Sequence, residues 1–128
     1  MSIRARKKSG YADTKNYPHK NHPAKYNRLG NDDIEYVTFT HHDEVKIKDK
    51  TFKTIPLNSN IDKEERKHSK KISYVFPKIF VGKRSALGKE NKKYNLIDKD
   101  NILVNDLFNS LPKEKVPYST NSKKKKRK

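Results

Sequence analysis

The segment from Gly82 to Lys89 carries the side chains best suited to chemistry in this chain. It places three cations, one hydroxyl and two glycines directly after an apolar run. Backbone amides exposed at glycines, together with nearby cations, are typical of turns that bind phosphate. We therefore predict that Lys83, Arg84, Ser85 and Lys89 contact a phosphate backbone. An ordinary polar turn between a strand and a helix remains the alternative interpretation.

The same segment does not match the phosphate loop of nucleotide-hydrolysing enzymes. That motif needs a glycine five positions before Gly82, where Pro77 stands, and a hydroxyl residue directly after Lys83, where Arg84 stands. The spacing therefore gives nucleotide hydrolysis little support.

Two groups of histidines are the candidates for a metal site. His19 and His22 are three residues apart, and His41 and His42 precede two carboxylates. A zinc site without cysteine needs histidine and carboxylate ligands that converge from fixed elements. The first pair lies beside prolines, and adjacent residues on a strand point to opposite faces. We therefore predict no metal, no cofactor and no catalysis, and a metal-dependent nuclease remains the least favoured alternative.

The charge of the chain indicates a polyanionic partner. Its 128 residues include 32 Lys and Arg against 15 Asp and Glu, which gives a formal net charge of +17. Nucleic acid is the commonest partner for so positive a surface. Lysine far outnumbers arginine, which favours phosphate contact over base readout. The further basic residues that we predict to contribute are Lys70, Lys71, Arg4, Arg6, Lys7, Lys8, Lys123, Lys124, Lys125, Lys126, Arg127 and Lys128.

Aromatic rings alternate with cations between Lys15 and Arg28. Rings that stack on unpaired bases, beside cations that meet phosphates, are the combination used by single-strand binders. Tyr17 and Tyr26 are therefore candidate stacking rings. A solvated, disordered arm is the alternative interpretation of this segment.

The distribution of large apolar residues predicts one small α+β domain over residues 31–118. Residues 1–30 contain prolines and glycines without a hydrophobic period, which predicts a basic extended arm. Residues 119–128 are predicted to form a basic disordered tail. The predicted fold is a small antiparallel sheet, consisting of a hairpin plus an edge strand, packed by one C-terminal amphipathic helix with flexible basic termini.

Three segments have the composition of strands. Val37 and Phe39 alternate with polar positions over residues 35–40. Two further runs flank the polar turn 48–50, which predicts a hairpin. Residues 72–81 are rich in β-branched and aromatic side chains. Because Pro77 cannot donate to a ladder, we expect this run to be an edge strand or one interrupted by a bulge.

Two segments have helical patterns. Asp62, with Glu65 three residues later, predicts a capped short helix over roughly 63–70. A longer helix over about 99–110 is predicted from Asp98 as N-cap, Ile97 and Ile102 as a hydrophobic staple, and Pro112 as the stop. Its apolar stripe at helical spacing consists of Leu103, Val104, Leu107, Phe108 and Leu111.

Composition also limits the cellular compartments that we expect for this protein. The chain has no cysteine, so disulfides and thiolate zinc sites are excluded. No apolar run approaches the ~18 residues that a membrane span needs, and no apolar stretch follows the basic start. We therefore expect no membrane contact and a cytoplasmic protein in a bacterial host, or a nuclear one in a eukaryote.

Several short motifs together resemble small basic proteins carried by mobile elements, either conjugative elements or phage, of low-GC Gram-positive bacteria. The motifs are Tyr74–Pro77, Gly82–Gly88, Leu111–Pro112 and Val116–Tyr118. The resemblance implies a bacterial or phage cytoplasm and accessory work on nucleic acid. It implies no catalytic residue.

Taken together, the sequence predicts a non-enzymatic nucleic-acid-binding accessory protein that contacts the phosphate backbone with low sequence specificity. One alternative is a ribosome-associated or ribosomal-type RNA-binding protein. Another is a protein-interaction module for an acidic partner. The expected nucleic-acid partner is DNA or RNA.

Overall fold

The computed structural model of the chain describes residues 8–116. The strands are β1 (Ser9–Thr14), β2 (Pro23–Arg28), β3 (Asp33–Thr40), β4 (Glu44–Ile47), β5 (Lys50–Lys53), β6 (Ile55–Pro56), β7 (Tyr74–Lys83), β8 (Leu87–Glu90) and β9 (Lys113–Lys115). The helices are α1 (Lys63–His68) and α2 (Asp98–Ser110), and Arg84–Ala86 form a 3₁₀ turn. The α+β class predicted from the sequence is confirmed.

The main sheet has the order β6-β7-β3-β2-β1-β8, and β9 adds to β7 in parallel. All other neighbours in it are antiparallel. The central strand β3 is buried from Ile34 to Thr40 because both faces of the sheet are covered. Ile34 and Tyr36 pack into the core on one face, whereas Val37 and Phe39 pack into the core on the other.

Helix α2 covers the second of these faces, as the apolar stripe predicts. Val104 and Phe108 are buried in the core, and Leu103, Leu107 and Leu111 pack partly buried against it. The predicted start of the helix is wrong in two details. Asp98 is the first helical residue rather than the N-cap, and Ile97 occupies the cap position without a side-chain bond. The predicted staple is also wrong, since the side chain of Ile102 is 64% exposed.

The contacts of Asp100 explain which face of α2 is buried. It lies four residues before Val104, so it shares the buried face. One of its carboxylate oxygens accepts hydrogen bonds from the backbone N and the Nδ2 of Asn58, both at 2.8 Å, and the other accepts from Ser59 N at 3.1 Å. The buried carboxylate therefore fastens the loop before α1 to α2, and Ile102 is turned towards solvent.

The predicted hairpin is confirmed as β4–β5, although its turn contains only Lys48 and Asp49. Lys48 has a φ of 57°, as a tight turn between antiparallel strands requires. The hairpin forms a separate two-stranded sheet rather than part of the main one. Its Val45 and Phe52 pack onto the face opposite α2.

The strand β7 is not the predicted edge strand, because β3 lies on one side of it and β6 and β9 lie on the other. The predicted bulge is present. Tyr36 pairs with Phe80 and Thr38 with Phe76, so β7 has two extra residues in this interval. Pro77 lies within it and has no cross-strand partner, so its missing N–H interrupts no ladder bond.

The predicted extended arm is wrong for residues 8–30, which form the hairpin of β1 and β2 inside the main sheet. This hairpin lacks large aliphatic residues, so it shows no hydrophobic period. Tyr26 supplies the missing volume by packing across Gly10, where an added Cβ would lie 2.7 Å from the Tyr26 hydroxyl. Residues 1–7 and the predicted tail 119–128 lie outside the described residues.

The short helix α1 begins as predicted, with the carboxylate of Asp62 accepting hydrogen bonds from Glu64 N at 2.8 Å and Glu65 N at 3.3 Å. It ends at His68 rather than at residue 70, and none of its residues is buried. Neither α1 nor α2, the α-helices of residues 8–116, has the length and apolar composition that crossing a bilayer requires.

Candidate functional site

The predicted phosphate-binding turn lines a cleft of about 710 Å³ at the link between β7 and β8. The turn contributes four polar residues, and two other segments contribute one charged residue each. The net formal charge of the lining residues is +3. The residues that line the cleft, called the basic cleft below, are Lys15, Asp32, Lys83, Arg84, Ser85, Leu87, Gly88 and Lys89.

The curvature of the sheet brings these segments together. Strands β7 and β8 are four steps apart in the strand order, which would be about 19 Å in a flat sheet. The link from Lys83 to Leu87 can span only about 14 Å, so the sheet must curl to bring β7 and β8 together. Two backbone bonds fasten the result: Lys15 N donates to Ala86 O at 3.1 Å, and Arg84 N donates to Asp32 O at 2.6 Å.

Arg84 shapes the wall of the basic cleft. Its Nη1 donates to the carbonyls of Leu87 at 3.3 Å and Gly88 at 2.8 Å, on the edge strand β8. Its guanidinium carbon also lies 4.7 Å from the centre of the Tyr26 ring. These contacts consume part of its donor set, so Arg84 positions the turn and adds charge to the cleft.

The lysines are the more accessible cations of the basic cleft. Lys15 and Lys89 are exposed. Lys83 forms an ion pair with Asp33 at 2.8 Å, in which both side chains are about half exposed. Such a pair contributes only about 0–1 kcal/mol, so a phosphate can replace the carboxylate at little cost. Ser85 is exposed and presents its hydroxyl in the same cleft.

The two tyrosines predicted to stack on bases are used by the core. Tyr26 is 1% exposed and lies beneath Arg84, so the prediction for this ring is wrong. Tyr17 packs edge-on against Phe80, with ring centres 5.2 Å apart and planes at 83°. Its carbonyl also accepts a hydrogen bond from the Tyr36 hydroxyl. Tyr17 is half-buried and also lines a cavity beside the β4–β5 hairpin, so its stacking on a base stays a prediction, whereas Tyr26 cannot stack without disrupting the core.

Other predicted contributors lie away from the basic cleft or outside the described residues. Lys70 and Lys71 precede Tyr74, at the opposite end of β7 from Lys83, a separation of roughly 30 Å along an extended strand. Lys8 is exposed at the start of β1. The predicted residues outside the described range are Arg4, Arg6, Lys7, Lys123, Lys124, Lys125, Lys126, Arg127 and Lys128.

A second cavity, of about 300 Å³, lies between the β1–β2 loop, the end of β3 and the segment before α1. Three of the histidines considered as metal ligands, His22, His41 and His42, line it. Within residues 8–116, no three His, Asp or Glu side chains converge closely enough to hold a metal ion. The residues lining the second cavity are Asn21, His22, Pro23, Phe39, Thr40, His41, His42, Asn60, Ile61, Asp62, Glu65, Ser73 and Tyr94.

Asn60 in the wall of the second cavity has an incomplete hydrogen-bond set. Its side chain is 98% buried, and its Oδ1 accepts from Asp62 N at 2.9 Å and from Ser73 Oγ at 3.4 Å. The bond from a backbone N–H fixes which end of the amide is oxygen. The Nδ2 group has no acceptor among the described residues, although buried polar groups are nearly always paired.

Tyr94 forms another part of the same wall. Its hydroxyl donates to the Asp13 carboxylate at 2.7 Å. Burial, and then this hydrogen bond, raise the pKa of Tyr94 well above its usual range. The ring is therefore neutral and fixed in orientation at ordinary pH.

Sequence reasoning found the turn but missed three residues around these sites. Lys15 and Asp32 are separated from the turn by about fifty residues or more, and only the curl of the sheet brings them close. Asn60 carries no motif, since its unusual feature is a missing partner. The basic residues of the segment 83–89 are the one feature of these sites that the sequence shows directly.

Comparison with known proteins assigns this chain to no family. No protein-family model, curated protein or solved structure matches it.

Proposed function

We propose that this protein binds nucleic acid, without a catalytic step, by holding the sugar–phosphate backbone in the basic cleft. The observation that carries the proposal is the convergence of Lys15, Lys83, Arg84 and Lys89 from two distant segments onto one concave surface. A groove with a net positive charge attracts a polyanion more strongly than the same charges dispersed over a surface. The net charge of +17 adds long-range attraction.

The arrangement favours backbone contact over base readout. Three of the four cations are lysines, which act as point charges, and the single arginine is already bonded to backbone carbonyls. Base-specific contacts commonly use a bidentate guanidinium or carboxamide, and the basic cleft presents neither in a free form. Low sequence specificity therefore follows from the composition of the cleft.

Recovery of partners from a native lysate, with and without nuclease treatment and across a salt series, tests the proposal. We expect nucleic acid to co-purify with the full chain and to be released as salt rises. Protein partners that survive nuclease treatment would overturn the proposal, and their release as salt rises would support a module for an acidic protein. Co-sedimentation with ribosomes, without binding to isolated duplex or single strands, would indicate the ribosome-associated alternative.

The resemblance to mobile-element proteins and the cytoplasmic location remain predictions. Both are compatible with an accessory role on nucleic acid, and neither is needed for the argument from the basic cleft.

A further inference from the structure

We infer that the second cavity binds one unpaired nucleobase of a strand whose backbone occupies the basic cleft. The inference rests on the proposed function and deepens it, because it assigns the ligand as single-stranded and separates a base site from the phosphate site.

The unpaired Nδ2 of Asn60 indicates an acceptor on the ligand. Asn60 lines the cavity and its Nδ2 has no acceptor among the described residues, but that atom is itself buried, so the carboxamide must turn towards the cavity before a ligand can reach it. A ring nitrogen or carbonyl oxygen of a base would complete its hydrogen-bond set, as carboxamides do when they read base edges.

The charges of the second cavity exclude phosphate as the preferred occupant. Among residues 8–116, no lysine or arginine lines it, whereas Asp62 and Glu65 do. Carboxylates repel a phosphate but accept hydrogen bonds from the amino and imino groups of a neutral base. The basic cleft has a net positive charge. We therefore assign the phosphate of a nucleotide to the basic cleft and its base to the second cavity.

The shape and rings of the cavity also fit a base. A volume of about 300 Å³ lies at the lower end of the range for small-ligand sites. His41, His42 and Tyr94 present rings in its lining, and such rings stack on unpaired bases. Unlike Tyr17 and Tyr26, both histidines are exposed.

The β1–β2 loop connects the two sites. It contributes Lys15 to the basic cleft and His22 to the second cavity. Thr14 fixes both ends of the loop: its backbone N donates to His22 O at 2.9 Å, and its hydroxyl oxygen accepts from His22 N at 3.0 Å. A nucleic-acid strand that lies along this loop would place a phosphate near Lys15 and a base near His22.

The test compares two labelled single strands of equal length, one of mixed sequence and one with every base removed, so that both carry the same phosphates. Binding of the full chain is measured by fluorescence anisotropy at one salt concentration. We expect the strand with bases to bind at least about fivefold more tightly, the contribution of one stacked base. The substitutions His41→Ala with His42→Ala, and separately Asn60→Asp, should reduce this ratio to about one.

The ratio distinguishes failure of this inference from failure of the proposed function. If the abasic strand binds in a salt-dependent way but the ratio is one for the unmodified chain, the cavity holds solvent and the inference is overturned. A ratio above one that survives both sets of substitutions also overturns it. Binding of neither strand refutes the proposed function itself. Since His41 and His42 are exposed, we expect their variant to fold. If Asn60→Asp does not fold, a ratio that stays above one in the histidine variant overturns the inference by itself.

Discussion

Removal of two lysines from the basic cleft should lower the salt dependence of binding by a calculable amount. Lys15→Ala with Lys89→Ala deletes two of the three exposed lysines of the cleft and leaves the Lys83 ion pair and the Arg84 bonds in place. Each phosphate contact on a single strand contributes about 0.7 to the slope of log affinity against log salt. The double variant should therefore lose about 1.4 from the slope. Between 50 and 200 mM salt, its affinity deficit relative to the unmodified chain should shrink by about sevenfold.

The matched control removes the same charge elsewhere. Lys50 and Lys99 are exposed on the β4–β5 hairpin and on α2, and neither lines the basic cleft or the second cavity. Lys50→Ala with Lys99→Ala should keep the full slope, measured by anisotropy with a labelled single strand at four salt concentrations. Equal slopes for the two double variants would refute the reasoning, because net charge rather than the cleft would then control binding.

Four further predictions concern the cleft and the fold that supports it. Asp32→Asn should strengthen binding and steepen the salt slope, since it removes the carboxylate that lines the basic cleft; unchanged or weaker binding in the same anisotropy assay would contradict this. Gly10→Ala should destabilise the fold by about 1–3 kcal/mol because the new methyl meets the buried Tyr26 ring, whereas Gly30→Ala, with nothing within 4 Å, should be neutral or slightly stabilising in urea unfolding. Asp100→Ala should cost about 3 kcal/mol by leaving the Asn58 and Ser59 amides without an acceptor, and a loss no larger than that of the exposed control Asp106→Ala would show that this carboxylate is dispensable. Because the pKa of Tyr94 is raised, the folded chain keeps a proton that the unfolded chain releases above about pH 10. The contribution of this proton to the unfolding free energy is therefore complete below pH 10 and is lost as pH rises towards the folded pKa. Tyr94→Phe should flatten the decline in unfolding free energy at alkaline pH, and an unchanged decline would argue against this prediction.

The elements that sequence reasoning found are those whose own residues determine their structure. The stripe of α2 and the β-branched run of β7 each bury their own side chains, so their periodicity survives in the sequence. Pro77 even marked the bulge. The error about the edge position arose because strand order depends on partners far along the chain, and β9 lies more than thirty residues later.

The hairpin of β1 and β2 was missed because its packing is shared between strands. Tyr26 fills the space above Gly10, so neither strand looks apolar by itself. The same limit applies to the sites. The basic run at 82–89 can be recognised from the sequence alone. The position of Lys15 beside this run depends on the curl of the whole sheet. The unpaired amide of Asn60 depends on contacts that only the folded structure shows.

The central claim is that nucleic acid lies in the basic cleft. Backbone amide shifts of the isotope-labelled full chain, followed by two-dimensional NMR during titration with a twelve-nucleotide single strand, test it most directly. We expect the largest shifts at Lys15, at Asp32 and across residues 83–89, with little change in the β4–β5 hairpin or the exposed face of α2. Shifts concentrated in the hairpin or on α2, with residues 83–89 unmoved, would contradict the account.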